Sequence, residues 1–389
     1  MNVLKPLLKS LSRCLVFGGL VGVMAMPAVA DDWPQFRGTP EQIGLATGLG
    51  TSLQPVWTYS LTDGAETTPA IVDGKVFIGG LSGTFAALDL KTGKELWKIE
   101  VEEEIKSSAL VHKGVVYFGD EWGKLRAVDA KTGEVRWTFE AESSISAPPN
   151  LLPGDNGCLV VGSYDNSIYC VNLKDGTSRW KVPTEGHVHG SPAILDGKII
   201  ATGCDGFLRI IDGKSGKEAS AIQAGSYIAA SPAVDDGKLY VGTFDNEVIG
   251  VDVAKEEILW RYKHPKREFP FYSSPAVTRD TIILGGRDKM VHALDRKTGE
   301  ARWTHSMRTR VDASPVVVGD RVYVADLTGV LKALSVSDGS VLWEFEGSDA
   351  FVGSPAVADG FMVIAAGDGT VYGFTGKDSS EKSGSEKKK

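Results

Sequence analysis

The sequence predicts an all-β fold, an eight-bladed β-propeller of four-stranded antiparallel blades. Three observations predict it: a unit that recurs about every 40 residues, short strand-forming runs on both sides of tight turns, and an unpartnered strand near each end of the repeats. The first complete copy reads LSGTFAALDLKTGKELW, residues 81–97. A period of this length with four short strands per unit is typical of propeller blades rather than of helical solenoids.

A tryptophan marks the outer strand of almost every unit, at spacings of 40 or 43 residues. One thin sheet cannot cover such a large flat apolar group, so each indole is expected to pack against the neighbouring blade. The fifth position of the series is Ser220 instead. The predicted structural tryptophans are Trp57, Trp97, Trp137, Trp180, Trp260, Trp303 and Trp343.

The two ends of the repeat region are complementary. Residues 55–59 form an outer strand with no blade before it, whereas residues 353–375 supply three strands and no outer one. Pairing them leaves no open edge. The N-terminal outer strand is therefore expected to complete the C-terminal blade, within a propeller that spans residues 55–376.

The turns carry a repeated chemistry. Two-residue hairpin turns that favour left-handed backbone are predicted at Asp165-Asn166, Asp205-Gly206, Asp245-Asn246 and Asp368-Gly369. A second set of aspartates is placed to cap the turn that follows the third strand. These are Asp89, Asp129, Asp212, Asp252 and Asp295.

Residues 1–30 have the pattern of a secretory signal peptide, with a basic start, an apolar run over residues 15–26 and a small-residue cleavage site at Ala28-Val29-Ala30. A retained N-terminal anchor is the alternative. No lipid-acceptor cysteine stands at the end of the apolar run. The chain is expected to be exported to the periplasm or the cell exterior.

Two segments flank the repeats. Residues 31–54 form an N-terminal extension whose Trp33 to Arg37 stretch is expected to pack on the outside or an end of the propeller. A ligand role for Trp33 is the alternative. The tail, residues 377–389, is polar and charged and is expected to be disordered.

Without residues 1–30 the chain carries 39 basic and 50 acidic residues, a formal charge of −11. An acidic surface argues against a nucleic-acid partner. No other stretch is apolar enough to cross a bilayer, so a transmembrane protein is not expected.

Three cysteines follow the predicted signal peptide: Cys158, Cys170 and Cys204. A two-residue turn at Asp165-Asn166 pairs residues whose numbers sum to 331, which puts Cys158 and Cys170 on opposite faces of their hairpin. A disulfide is therefore not expected. All three cysteines are interpreted as buried small apolar residues.

A candidate binding site follows from the Ser/Thr-Pro step of each innermost strand. The residues three positions before each proline, or its equivalent, should ring the mouth of the central channel, and most of them vary and are polar. The alternative is a solvated rim without a ligand. The eight positions are Glu66, Lys106, Ile145, His189, Ala229, Tyr272, Asp312 and Val352, of which Glu66, Lys106, His189, Tyr272 and Asp312 are the predicted binding residues.

A basic and aromatic loop is the second candidate. On an acidic protein such a patch favours contact with a partner, and an ordinary solvated loop is the alternative. The predicted contact residues are Lys263, His264, Lys266, Arg267, Phe269 and Phe271.

No catalytic residue and no metal site is predicted. His187 and His189 alternate like residues on one face of a strand, but no Cys, Asp or Glu clusters beside them. No nucleophile motif or phosphate-binding loop occurs, and the repeated aspartates are accounted for by turns.

The units ALDLKTGKELW, AVDAKTGEVRW and ALDRKTGEARW resemble the tryptophan-docking repeat of the pyrroloquinoline-quinone (PQQ) propeller family. This resemblance implies an eight-bladed disc. The family includes quinoprotein alcohol and glucose dehydrogenases, and also BamB-like scaffolds of outer-membrane protein assembly that keep the disc without a cofactor. This chain lacks the vicinal Cys-Cys pair and the long insertions of those dehydrogenases.

The resulting hypothesis is a periplasmic or secreted, non-catalytic scaffold that binds a protein partner in the cell envelope and associates with a membrane complex at its periphery. No cofactor is expected. One alternative is a PQQ-dependent oxidoreductase that uses PQQ with Ca²⁺, and another is a carbohydrate-binding propeller.

Overall fold

A computed structural model describes residues 32–154 and 157–377. The predicted signal peptide, residues 1–30, and the tail after Lys377 lie outside the described residues. Described strands form eight sheets of four antiparallel strands each, one after another along the chain, with a short fifth strand added in parallel to one of them. The described ranges contain no helix. The prediction of an all-β, eight-bladed propeller is confirmed.

Two strands precede the blades, β1 (Leu45–Ala46) and β2 (Ser52–Ser60). Blades 1 to 4 then take four consecutive strands each. Blade 1 consists of β3 Ala70–Val72, β4 Lys75–Gly79, β5 Thr84–Asp89 and β6 Glu95–Glu100, and blade 2 of β7 Leu110–His112, β8 Val115–Gly119, β9 Lys124–Asp129 and β10 Val135–Glu140. Blade 3 consists of β11 Asn150–Leu152, β12 Cys158–Ser163, β13 Ser167–Asn172 and β14 Ser178–Pro183, and blade 4 of β15 Ala193–Leu195, β16 Lys198–Thr202, β17 Phe207–Asp212 and β18 Glu218–Gln223.

Blades 5 to 7 repeat this order, and blade 8 adds three strands. Blade 5 consists of β19 Ala233–Asp235, β20 Lys238–Gly242, β21 Glu247–Asp252 and β22 Glu257–Lys263, and blade 6 of β23 Ala276–Val277, β24 Thr281–Gly285, β25 Met290–Asp295 and β26 Ala301–Ser306. Blade 7 consists of β27 Val316–Val318, β28 Arg321–Ala325, β29 Val330–Ser335 and β30 Val341–Glu346, and blade 8 contains β31 Ala356–Ala358, β32 Phe361–Ala365 and β33 Thr370–Lys377.

The ring closes through β2. This strand pairs antiparallel with β33, with Trp57 opposite Gly373 and Ser60 opposite Thr370. The predicted closure is therefore confirmed, and the closing strand begins at Ser52, inside the segment predicted as an extension. Each of the eight blades therefore has four antiparallel strands, and β1 pairs in parallel with β27 at the inner edge of blade 7.

Seven tryptophans join neighbouring blades, at every seam but one. Each indole N–H donates to a backbone carbonyl beyond its own blade, over 2.8–3.2 Å, as Trp97 does to Ala130 and Trp343 does to Leu53. Six of the rings also lie against a glycine with φ of +67° to +78°. A Cβ there would lie only 2.5–2.9 Å from the ring. These glycines are Gly93, Gly133, Gly176, Gly216, Gly299 and Gly339.

The seam between blades 4 and 5 lacks both halves of this contact. Ser220 stands where the other seams have tryptophan, and Glu256 stands where they have glycine, with φ still at +59°. The Ser220 hydroxyl is buried without a hydrogen-bond partner. Because no indole occupies this seam, a side chain at position 256 is sterically tolerated.

The turns between second and third strands differ from the prediction by one residue. In blade 3, Ser163 pairs with Ser167, which leaves a three-residue loop instead of two. Only its last residue, Asn166, has a positive φ, +61°. Such a loop, a type I turn followed by one residue in the left-handed conformation, preserves the twist of the two strands and is one residue longer than a two-residue hairpin turn. Gly83, Gly206, Asn246 and Gly369 are the equivalents in other blades.

This extra residue overturns the cysteine prediction. Cys158 lies opposite Asn172 and Cys170 lies opposite Val160, so paired numbers sum to 330 and both side chains share a face. They form a buried disulfide, with Cα atoms 5.6 Å apart. Cys204 is free and only partly buried, so its interpretation as a fully buried residue is also wrong.

The second set of aspartates acts as predicted. Each carboxylate accepts a backbone N–H three residues later, over 2.8–3.0 Å, as Asp89 does from Thr92. These contacts satisfy donors that the turn leaves unpaired, which accounts for the repeated aspartates without catalysis.

Residues 33–46, here called the plug, close one end of the central channel. The plug runs past the innermost strands of blades 1 to 7 in order. Trp33 pairs with Ile71, and the N–H groups of Val111, Ile194, Val234, Val277 and Val317 donate to plug carbonyls over 2.7–3.0 Å. The side chain of Gln35 donates to Asn150 of blade 3. The expectation that this stretch packs on an end of the propeller is correct.

Arg37 holds the plug in place. It is 1% exposed, and its guanidinium donates to the carbonyls of Pro315 at 2.5 Å and Pro275 at 2.9 Å. Burial lowers the pKa of Arg37 to about 9, so the group stays protonated at neutral pH. Trp33 is 2% exposed within the plug, where a Cβ on Gly38 would lie 3.0 Å from its ring.

The blade 4–5 seam gives a stability prediction. The double substitution Ser220→Trp with Glu256→Gly is expected to raise the free energy of unfolding by about 1–3 kcal/mol, because it installs a buried indole and its glycine. Ser220→Trp alone should stabilise less or destabilise, since the indole would meet the Glu256 side chain. Urea unfolding of the four proteins in a double-mutant cycle measures the coupling.

The reverse change at an intact seam is the matched control. Trp180→Ser is expected to destabilise by about 2–4 kcal/mol, and adding Gly216→Glu should cost little more once the indole is gone. Additive effects at both seams would contradict the proposed contact between indole and glycine.

Candidate functional site

A ring of hydroxyls surrounds the channel on the side of the plug that faces the inter-blade loops. Six of the seven hydroxyl oxygens accept the N–H of the equivalent residue one blade earlier, over 2.8–3.0 Å. The chain of contacts is broken at Pro148, which has neither a hydroxyl nor an N–H. Gln42 of the plug donates to Ser191 beside this gap. The ring consists of Thr68, Ser108, Ser191, Ser231, Ser274, Ser314 and Ser354.

Beyond this ring the channel widens into a cavity of about 340 Å³, here called the cup. Phe36 of the plug contributes to its lining from within the channel. The turns between second and third strands hydrogen-bond to the inter-blade loops at this face, for example through Tyr164 N–H and Ser144 O. Ala229 and Val352 line the cup. So do all five predicted binding residues, Glu66, Lys106, His189, Tyr272 and Asp312.

One predicted rim position was misplaced. Ile145 is fully buried, and Ser146 lines the cup instead. The reason is the Pro148-Pro149 pair. Strand β11 begins at Asn150, so Pro149 is the equivalent of the proline in other blades, and the prediction counted from Pro148.

His189 connects two tyrosines inside the cup. Its Nδ1 contacts the hydroxyl of Tyr164, and its Nε2 contacts the hydroxyl of Tyr272. Burial lowers the pKa of His189, and the charge of Arg287 acts in the same direction. The imidazole is therefore neutral at pH 7, with one nitrogen donating and the other accepting.

His187 does not join His189 in a metal-binding arrangement. Its ring stacks on Tyr164 at 4.8 Å, and its Nδ1 lies 2.7 Å from the Tyr164 carbonyl oxygen. Within residues 32–154 and 157–377, no group of three or more His, Cys, Asp or Glu side chains is arranged to hold a metal ion.

The cations of the cup are already paired. Arg287 makes two 3.0 Å hydrogen bonds to the Asp312 carboxylate and lies 4.6 Å above the ring of Tyr272. Lys106 Nζ lies 2.6 Å from the carboxylate of Glu104, whose side chain is 48% exposed. Glu104, the largest cause, and then the charges of Glu121 and Glu66 raise the pKa of Lys106.

The loop predicted as a partner contact is only partly exposed to solvent. Phe269 is 51% exposed, whereas Phe271 is 2% exposed. A Cβ on Gly242 would lie 2.4 Å from the Phe271 side chain, so the predicted contact role of Phe271 is wrong. Lys263 pairs with Glu247 at 3.3 Å, and Arg267 donates to the Asp288 carbonyl at 2.5 Å. His264 and Lys266 belong to the accessible part of the loop.

Sequence reasoning missed the first residue of each turn between the second and third strands. Glu121 and Tyr164 at this position line the cup, Phe244 lies 6.4 Å from the ring of Tyr272, and Arg287 stacks on that ring. The position varies from blade to blade, as the rim position does. In the sequence, these residues could have been recognised because they vary from blade to blade beside a turn that stays constant.

Three aromatic side chains are exposed on the loops around the cup. Trp122 is 57% exposed on a turn of blade 2, Tyr227 is 58% exposed on the loop before blade 5, and Phe269 is 51% exposed on the loop before blade 6. Exposed aromatic residues on one face favour macromolecular contact.

Eight docked blades around a channel closed at one end define a β-propeller built from PQQ-like repeats. The family model described as outer membrane protein assembly factor BamB matches residues 51–150, 122–219, 211–311 and 287–382. The chain therefore belongs to this family.

Similar proteins agree with this assignment. The chain is 26% identical over 427 residues to outer membrane protein assembly factor BamB of Salmonella typhimurium, covering 94% of this chain and 96% of that protein. It is 25% identical over 369 residues to the protein of the same name from Xanthomonas campestris pv. campestris, covering 80% and 82%.

Solved structures share the fold. The BamB structure from Moraxella catarrhalis has a TM-score of 0.71 at 21% identity, covering 83% of this chain and 99% of that one. Quinohemoprotein alcohol dehydrogenase from Comamonas testosteroni has a TM-score of 0.73 at 14% identity, covering 89% and 81%. At these identities the likeness concerns the fold alone.

Within the described ranges, none of the secondary structure is a helix of the length and apolarity that a membrane span requires.

The neutral state of His189 predicts a pH dependence. An unfolded histidine titrates near pH 6.5, whereas the folded pKa is lower, so below about pH 6.5 the unfolded chain binds a proton that the folded chain does not. Stability should therefore fall as the pH drops from 7 toward the folded pKa, by at most about 1.4 kcal/mol per pH unit. His189→Gln, which keeps one donor and one acceptor, should remove this part of the slope.

Urea unfolding of wild type and His189→Gln between pH 5 and pH 8 measures the difference. His187→Gln is the control, because that ring is exposed and stacks outside the two-tyrosine contact. If the free energy of unfolding had the same pH dependence in wild type and His189→Gln, the conclusion that His189 is neutral in the folded protein would be contradicted.

Proposed function

We propose that this protein is a non-catalytic scaffold of the cell envelope whose cup face binds a protein partner. The observation that carries the proposal is the asymmetry of the disc: the plug fills one end of the channel, and the other end opens into a polar cup surrounded by Trp122, Tyr227 and Phe269. Aromatic residues are enriched among the side chains that dominate protein interfaces.

The printed names of the relatives indicate the setting. These proteins are named outer membrane protein assembly factors, and they match almost the whole length of this chain. We propose a role of the same kind, in the assembly of outer-membrane proteins, with the scaffold in the periplasm and at the periphery of a membrane complex. An exported chain with a signal peptide at residues 1–30 is consistent with that location.

The proposal includes no cofactor. Quinone chemistry with Ca²⁺ would require several oxygen ligands grouped around the cation in the cup. The Asp312 carboxylate accepts two hydrogen bonds from Arg287, and among the described residues no three His, Cys, Asp or Glu side chains, Glu66 and Glu121 included, form such a group. Phe36 of the plug also reaches the cup from within the channel. These residues do not fit the quinone and its calcium, so no redox step is proposed.

Two triple variants test the scaffold proposal. Replacing Trp122, Tyr227 and Phe269 by serine removes exposed apolar surface from the cup face. The matched control replaces Leu96, Val135 and Leu259 by serine, which are 45–51% exposed on outer strands. We expect the cup-face variant to capture its envelope partner at least about tenfold less, because hot-spot aromatics contribute most of the affinity.

Capture is measured by cross-linking in the native envelope followed by mass spectrometry, with thermal melting to show that both variants fold. Equal capture by the two variants would contradict the cup face as the binding surface. Stoichiometric PQQ binding with dye-linked oxidation of an alcohol or sugar would contradict a non-catalytic scaffold.

A further inference from the structure

Two carboxylates in the cup make no ion pair. Among the described residues, Glu66 has no hydrogen bond or ion pair of its side chain, and Glu121 accepts only from the hydroxyl of Ser146, at 2.5 Å. Lys106 lines the cup and pairs with Glu104, although the charges of Glu121 and Glu66 also act on it. Arg287, beside the cup, pairs with Asp312. Glu66 and Glu121 therefore remain without an ion pair in the described part of the chain.

The cup also offers aromatic surfaces to a cation. Phe36, Tyr164 and Tyr272 contribute to its lining. Arg287 already stacks on Tyr272 at 4.6 Å, which shows that a guanidinium is accommodated against these rings. A cation over an aromatic face gains electrostatic energy, and this gain rises as water is excluded.

Buried hydroxyls with unused hydrogen-bonding capacity are an independent observation. Each of these groups is 3–4% exposed, lines the cup and accepts one backbone N–H, and none donates its own proton to a described atom. Their protons require an acceptor from outside the described chain. The hydroxyls are those of Thr68, Ser108, Ser231, Ser274, Ser314 and Ser354.

We infer that the cup binds an extended peptide segment of the protein partner through an arginine or lysine side chain. The cation meets Glu66 and Glu121 and lies against the aromatic rings, while peptide carbonyls accept from the buried hydroxyls. A volume of about 340 Å³ lies within the range of about 300–1,000 Å³ that is usual for sites of small ligands.

The loops outside the cup are consistent with this charge preference and give it a direction. Glu102, Glu103 and Glu104 stand on the loop between blades 1 and 2, and Glu142 and Glu185 stand on the next two loops. The basic residues of this face, Lys266, Arg267, Arg308 and Arg310 among them, belong to the loops around blade 6. A basic segment should therefore approach the cup over blades 1 to 4.

The inference rests on the proposed scaffold function and is tested with defined peptides. The probes are N-acetyl-Gly-Arg-Gly-amide and the same peptide with citrulline, which keeps the shape of arginine without its charge. Binding to the purified chain is followed by NMR chemical shifts up to about 10 mM peptide. The arginine peptide should bind with shifts confined to cup residues, and the citrulline peptide should bind at least about fivefold more weakly.

Substitutions separate the cup carboxylates from the general charge of the protein. Glu66→Gln and Glu121→Gln should each weaken the arginine peptide about five- to tenfold, and the double variant should abolish measurable binding. Glu134→Gln is the matched control, an exposed glutamate on the turn between the third and fourth strands of blade 2 and away from the inter-blade loops, and should change affinity less than twofold. Thermal melting shows whether each variant is folded.

Equal binding of the two peptides, no binding of the arginine peptide, or equal effects of Glu66→Gln and Glu134→Gln would overturn the inference. These outcomes leave the scaffold function separately testable. Partner capture that depends on Trp122, Tyr227 and Phe269 would persist if only the cationic group had been assigned wrongly.

Discussion

Six of the eight seams of the ring depend on an indole that lies against a glycine of the neighbouring blade. The left-handed turn after the third strand brings the backbone so close to the neighbouring tryptophan that only glycine fits. The blade 4–5 seam supports this constraint, because tryptophan and glycine are replaced there together, by Ser220 and Glu256. A blade sequence can therefore vary widely as long as these two positions agree across the seam.

The channel is held by a different set of interactions from the outer ring. The hydroxyl ring joins innermost strands side by side, and the plug satisfies the N–H groups that those strands direct toward the axis. Buried backbone donors are costly when unpaired, so an open channel of this length would need water or chain to fill it. The plug supplies chain at one end, and the cup remains open at the other.

The sequence predicts the blades, their number and the closing strand because these follow from a repeat that is visible locally. The plug has no such signal, since residues 31–54 lack periodicity and contact strands far along the chain. The disulfide was missed for a smaller reason: one extra loop residue, Asn166, changes which strand faces coincide. The rim positions were predicted because each lies three residues before a proline or its equivalent. The prediction missed only the blade 3 position, where the Pro148-Pro149 pair shifts the count by one residue.

Two positions per blade vary on the cup face while the rest of the repeat stays constant: the rim residue and the first residue of the turn between the second and third strands. Blades 1 and 2 use them for Glu66, Lys106 and Glu121, whereas Tyr164 belongs to blade 3 and Tyr272 to the loop before blade 6. The fold does not require this division, because the same backbone accepts either kind of residue. These side chains neither close a seam nor cap a turn, so the fold leaves them available for the binding proposed for the cup.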